Sequence, residues 1–233
     1  EEGGDWSIAG NSLDNHLVGN SGNNVLAGGL GADTLEGGLG DDIYVLNDQS
    51  DLLIDTGGVD TIRTSLNTTL ADGFEHLVLV GITDAEGVGN AADNQITGNI
   101  GDNILDGRGG VDTLTGGAGS DQFVLSQNAH GLAPDQITDF KSGEDLMVID
   151  LLSFGVDIIS LGLPSSGTVQ PASFVKGAGA KALAPDDHFI LDTAMGILSF
   201  DADGSGSQAA VDVVKLVGVV DGNISASDIY VAV

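Results

Sequence analysis

Cysteine is absent, and among 233 residues there are only four prolines, two methionines and six Lys or Arg. Without cysteine no disulfide can brace the fold, and thiolate chemistry, including cysteine-ligated zinc, is excluded. Aromatic residues make up only 4% of the chain, so a core here must be filled by Leu, Ile and Val rather than by rings. The six basic residues face 35 acidic ones, a formal charge of −29. Nucleic acid and anionic lipid both rely on Lys and Arg to displace counter-ions, so neither is expected as a direct partner. No run is long and apolar enough for membrane insertion, and the amino end, EEGGDWSIAG, has no initiator Met and no basic or apolar signal region. That end reads as a cut or processed piece. What the chain has in quantity is glycine, 37 residues, and 41% hydrophobic side chains, enough to build a core. The charge opposes compaction unless bound cations neutralise it.

The glycines fall in a repeat of nine. From Ala9 the chain runs AGNSLDNHL, VGNSGNNVL, AGGLGADTL, EGGLGDDIY, and from Val88 it runs VGNAADNQI, TGNIGDNIL, DGRGGVDTL, TGGAGSDQF. Leu17, Leu26, Leu35 and Tyr44 thus recur nine residues apart, as do Ile96, Leu105, Leu114 and Phe123. Two positions earlier stand Asn15, Asn24, Asp33 and Asp42, then Asn94, Asn103, Asp112 and Asp121. The same Asn, Asn, Asp, Asp order in both blocks points to a duplication. In GGxGxD the glycines permit positive φ and a tight turn. Asp adds a hard oxygen to the carbonyls that such a turn exposes, and calcium takes about six to eight such oxygens. A short strand after each turn points one large aliphatic inward, so that stacked repeats share a core that no single repeat could bury.

These nonapeptides resemble those of RTX (repeats-in-toxin) proteins, secreted calcium-binding proteins with a parallel β-roll. The resemblance implies that ions lie between turns two repeats apart, so that Asn15 faces Asp33, Asn24 faces Asp42, Asn94 faces Asp112 and Asn103 faces Asp121. It assigns the turn glycines Gly29, Gly31, Gly38, Gly40, Gly117 and Gly119 to the same sites. Asp48 and Asp51 fall where a further ion could be held against the last turn of the first block, a water-exposed capping turn being the alternative. With Asp139 as a further flanking acid, paired turns and flanking acids suggest about six calcium ions in all. Asn in place of Asp removes a charge at four half-sites. Leu13 and Ala92 occupy the place of the third glycine, and Arg108 that of the second.

The fold class expected is all-β: parallel β-roll blocks closed by a mostly antiparallel cap. Residues 1–8 form a tail, 9–87 the first block with an intervening β segment, 88–140 the second block and 141–233 the cap. In the intervening segment Leu53, Ile54 and Ile62 are candidates for inward positions, and TLADGFEHLVLVG alternates around Leu77 and Leu79. One continuous roll and two packed rolls both fit the sequence. In the cap ITDF, LMVIDL, DIISL, HFILD, ILSF, VVKLV and DIYVAV read as strands. Asp201, Asp203, Ser205, Gly206 and Asp212 approach EF-hand spacing, but their strand-like flanks favour a hairpin turn. DQITDFKSGEDLMVIDL, FILDTAMGILSFDADGSGSQAAV and SASDIYVAV resemble the carboxy-terminal regions of proteins exported by type I secretion, including serralysin-like proteases. That resemblance implies an uncleaved export signal and an exporter as partner.

No HExxH or GxSxG motif occurs, and His16, His76, His130 and His188 are scattered, so the chain is not expected to be an enzyme itself. The expected function is a secreted calcium-binding module that folds when it meets extracellular calcium. Self-association as a cell-surface structural or adhesion protein is the alternative, and a carbohydrate-binding module of a polysaccharide-modifying enzyme a more distant one.

Overall fold

The computed structural model describes residues 3–126, 133–154, 167–218 and 223–232; His130 and the DIISL pattern at 157–161 lie outside them. Among the described residues there is no α-helix, only short strands and two 3-10 turns. Each nonapeptide forms one turn and one three-residue strand, too short to be stable singly. The chain therefore winds, alternating between two walls.

One wall stacks Ser7–Ala9, Val25–Ala27, Ile43–Leu46, Thr61–Thr64, His76–Leu79, Gln95–Thr97, Thr113–Thr115 and Asp135–Ile137 in parallel. Its register aligns Leu26, Tyr44, Ile62, Leu77, Ile96, Leu114 and Ile137 in a single inward row. The row crosses residues 45–87 without interruption, so the two blocks belong to one continuous solenoid. The opposite wall is divided. His16–Val18, Thr34–Glu36 and Leu52–Ile54 form one parallel sheet, while Thr68–Thr69, Glu86–Val88, Ile104–Asp106, Gln122–Leu125 and Leu146–Asp150 belong to another.

Core and pattern agree at every repeat. Leu26, Leu35, Tyr44, Ile96, Leu105, Leu114 and Phe123 are fully buried, and Leu17 packs against them from the end of the row. Ile54 is a correction: Leu52 and Ile54 are exposed while Leu53 between them packs inward, because a three-residue strand sends its two ends to the same outer face. Ile62, Leu77 and Leu79 are buried as the pattern predicts.

The carboxy-terminal region continues both walls before changing direction. Val211–Leu216 pairs in parallel with Asp135–Ile137, then carries Ile197–Phe200 and Phe189–Asp192 antiparallel, with Phe174–Gly177 parallel at the edge. Ile229–Ala232 adds in parallel to Leu146–Asp150, buries Ile229 and Val231, and takes Gly167–Thr168 antiparallel on its far side. This mixed unit covers the last coil of the solenoid. Asp228 fastens it, accepting from the Ser142 hydroxyl at 2.8 Å and from the Gly143 N–H at 3.0 Å.

Candidate metal centres at the solenoid turns

The turns stack into two edges, one holding Asn15, Asp33, Asp51, Asn103, Asp121 and Asp145, the other Asn24, Asp42, Asp60, Glu75, Asn94, Asp112 and Asp135. Along each edge a carboxylate accepts the backbone N–H of the residue one coil earlier. Asp33 Oδ1 takes the N–H of Asn15 at 2.8 Å, Asp42 that of Asn24 at 2.7 Å, Asp112 that of Asn94 at 2.7 Å and Asp121 that of Asn103 at 2.8 Å. The ladder runs on through Asp51 to Asp33, Asp60 to Asp42, Glu75 to Asp60, Asp135 to Asp112 and Asp145 to Asp121. Each of the four expected pairs is thus brought together, eighteen residues apart in sequence.

Asn turns and Asp turns are completed differently. The amide oxygens of Asn15, Asn24, Asn94 and Asn103 accept the N–H four residues back, from Asn11, Asn20, Asn90 and Asn99, at 2.7 to 3.0 Å. Those second-position asparagines in turn accept an N–H two residues on, in Asx turns. Asp turns place Gly29, Gly38 and Gly117 there instead, or Arg108 in the Asp112 turn, and Gly31, Gly40 and Gly119 stand two residues on; these six glycines all have φ between 99° and 113°. Their carboxylates receive no such donor: Oδ2 of Asp33, Asp42 and Asp112 is buried with no hydrogen-bond partner, and so is Oδ2 of Asp60. A buried anionic oxygen without a donor is unfavourable unless a cation faces it.

Oxygens also converge. A Cβ built on Gly10 would lie against both Asn15 Oδ1 and the Gly28 carbonyl of the next coil; Gly19, Gly89 and Gly98 stand in the same relation to Asn24 and Gly37, Asn94 and Gly107, Asn103 and Gly116. On the Asp side, Cβ atoms on Gly28, Gly37, Gly107 and Gly116 would meet Oδ2 of Asp33, Asp42, Asp112 and Asp121. Only glycine leaves these spaces open, and their walls are carbonyl, amide and carboxylate oxygen. Hard oxygen donors of this kind suit calcium; no nitrogen or sulfur ligand stands among them.

Burial pushes the Asp112 carboxyl up to about 8, with Asp135, Asp93 and Asp106 adding repulsion against the opposing Asn94 N–H bond. Asp121 is raised to about 6 by burial and by Asp145 and Asp139, while the Asn103 N–H and Lys141 oppose the rise. Asp42 is raised as well, chiefly by burial and with a contribution from Asp55. All three rises come chiefly from burial, with Lys141 offsetting only part of that at Asp121.

Asp139 accepts the N–H groups of Gly116 and Gly117, both at 2.8 Å, and so closes the last Asp turn. Asp48 accepts the N–H and hydroxyl of Ser50, which hold its carboxyl below the usual range; Asp51 takes the ladder position beside it. A second ladder went unread in the sequence. Asp14, Asn23, Asp41, Asp84, Asp93 and Asp102 accept N–H groups from the coil that follows, those of Ala32, Asp41, Val59, Asp102, Val111 and Ser120, at 2.8 to 2.9 Å. For all of these but Asp84, which precedes Ala85, the signal was the polar residue directly before the inner Asn or Asp. Asp201 and Asp203 adjoin in the turn between Ile197–Phe200 and Val211–Leu216, whereas Asp212 lies on a strand and accepts from Ser199 at 2.7 Å, so this is a hairpin turn and the EF-hand spacing does not close. His16 meets Glu36 at 2.6 Å on the surface and His188 Nδ1 lies 2.8 Å from the Asp201 carbonyl in the interior; neither adjoins a ladder carboxylate.

Paired rows of oxygen-lined, glycine-turned corners on a parallel β-solenoid define a metal-binding repeat protein of the β-roll class. Residues 9–44 and 88–123 match the family model of the RTX calcium-binding nonapeptide repeat, with four copies, and the chain is an RTX β-roll protein that binds calcium through these repeats. A search of curated proteins finds no match.

Proposed function

We propose that this chain is the calcium-triggered folding module of a secreted bacterial protein, exported through a type I exporter and ordered outside the cell when calcium fills its turns. The observation that carries this reading is the set of buried carboxylate oxygens, Asp33, Asp42 and Asp112 Oδ2, which have no protein donor. A chain of charge −29 with such oxygens is poorly stabilised without metal, and each ion removes two charges. Metal binding and folding are then one reaction, because the unfolded chain presents no site in which two turns converge. Where calcium is scarce the chain stays loose enough to be threaded outward; outside, the solenoid closes.

The carboxy-terminal strand Ile229–Ala232 lies in the part that resembles type I export signals, and we assign the uncleaved signal to it and the segments around it. The module itself performs no catalysis in this reading; an active domain elsewhere in a parent protein would supply that. Far-UV circular dichroism during a calcium titration of metal-free protein, with magnesium as control, tests the proposal. A cooperative gain of β signal with calcium and none with magnesium is expected. A spectrum already folded without calcium and unchanged by adding it would overturn the trigger.

A further inference from the structure

Residues 45–87 separate the two matched blocks. Among the described residues, the one group of three metal-type side chains lies where the first block meets this segment: Asp42, Asp55 and Asp60 each place a carboxylate oxygen within 4.8 Å of the other two. Asp42 and Asp60 are fully buried and Asp55 is half-buried. Oδ1 of Asp60 is used by the Asp42 N–H at 2.8 Å, but Oδ2 of Asp42 and Oδ2 of Asp60 have no protein donor. The ion pairs found among the described residues, His16 with Glu36 and Lys141 with Glu144, both lie elsewhere. Three carboxylates therefore meet with no cationic side chain paired to them.

The third carboxylate is held in place. Asp55 Oδ1 lies 2.9 Å from the Tyr44 hydroxyl, and Asp55 Oδ2 accepts the Gly57 N–H at 2.6 Å. Tyr44 stands at the inward position that Leu fills in most other repeats, its ring buried edge-on against Phe74 at 5.2 Å. Its hydroxyl also accepts the Gly37 N–H and approaches the Ile54 carbonyl, both at 2.9 Å. A leucine would fill the core equally well but could not orient Asp55.

We infer that Asp42, Asp55 and Asp60 form a further calcium site, outside the pairing of matched repeats, with Tyr44 as its positioning residue. All its donors are hard oxygens, which selects calcium-type cations over zinc or copper. It carries three carboxylates where an Asn and Asp turn pair carries one, so it should fill at lower calcium than those pairs. The inference rests on the calcium reading of the turns, because Asp42 serves the coil on either side.

The test uses the full chain, with calcium stoichiometry by equilibrium dialysis and terbium as luminescent probe excited through tyrosine. Asp55→Asn and Asp60→Asn are expected to bind one calcium fewer than the parent and to lose the early-filling terbium emission. Tyr44→Phe is expected to keep the ion count at saturating calcium, lose the emission and weaken that site about tenfold, the low end for removing an outer hydrogen bond to a ligand. Asp55 is only half-buried, and the amide oxygen of Asp55→Asn can still accept the Gly57 N–H, so this variant decides the matter if Asp60→Asn fails to fold, which circular dichroism reports. Unchanged stoichiometry and emission in Asp55→Asn would overturn this site while leaving the repeat sites standing. Absence of calcium binding by the parent chain would overturn both.

Discussion

Asp112 divides its carboxylate between two surroundings: Oδ1 accepts the Asn94 N–H at 2.7 Å, while Oδ2, just as buried, meets no donor. Asn94 itself shows what an amide does at the equivalent position, accepting through Oδ1 and donating from Nδ2 to the Phe74 carbonyl at 3.3 Å. Asp112→Asn should therefore act with opposite signs in the two metal states. In chelator the variant should be more stable than the parent by about 1 kcal/mol, because an unpaired buried anion is gone. In calcium it should be less stable and bind one ion fewer. Thermal unfolding in chelator and in millimolar calcium checks both signs.

The pH dependence without metal should run against the usual course of acid denaturation. Burial raises Asp112 to about 8, Asp60 to about 7 and Asp121 to about 6, each well above the ordinary carboxylate range. The folded state then binds more protons than the unfolded chain between those limits. Stability from these groups is fully present below about pH 4 and lost as pH rises through 6 to 8. Asp48 and Asp192, lowered by hydrogen bonds, work the other way at lower pH. Denaturant midpoints in chelator should be higher at pH 5.5 than at pH 8. Calcium competes with the same protons, so in saturating calcium the order should reverse.

Arg108 has φ 64°, the only positive value outside glycine among the described residues, and it occupies the turn position that Gly117 holds in the next repeat. Left-handed backbone costs a residue with a Cβ about 1 kcal/mol, partly returned through the stiffer unfolded chain. Arg108→Gly should raise stability by about 0.5 kcal/mol in calcium. The reverse change, Gly117→Ala, drives a Cβ into the Asn99 carbonyl at a φ of 99° and should cost about 2 to 3 kcal/mol. Paired calorimetric scans compare the two.

Leucine tests the repeat most simply, since it occurs at inward and outward places. Leu105 is fully buried in the core row, and Leu30 is 68% exposed at a turn. Leu105→Ala should lose about 2 to 5 kcal/mol, the range for a core cavity. Leu30→Ala should stay within about 0.5 kcal/mol of the parent. Chemical denaturation at fixed calcium measures both.

The inward row and the four Asn and Asp pairs were legible because nine-residue spacing fixes which side chain faces which neighbour once two repeats make a coil. Legibility fell where the spacing changes. Asp60 ends the run Gly57, Gly58, Val59, Asp60, which has the paired glycines and the acid but no glycine between them, so it went unread as a ladder residue. Asp55 could not be found from spacing at all; it is tied to the cluster by a hydroxyl eleven residues away on Tyr44. Continuity of the solenoid was equally hidden, because the coil from Ile62 to Leu77 is shorter than its neighbours and only the strand register shows that it still stacks.

The inner ladder points one way. Each buried N–H of that ladder, from Asn24 to Asp121, is answered by a side chain belonging to the following coil, and the last of them are met by Asp135 and Asp145. Donors answered from the preceding coil, such as those of Ala32 and Val111, lie at the surface, where water can replace the lost partner. Shortening the molecule is therefore unequal at its two ends. Coils removed from the front leave behind acceptors that solvent can satisfy, whereas coils removed from the back strip a sealed amide of its only mate, so the solenoid has a growing end and a finishing end.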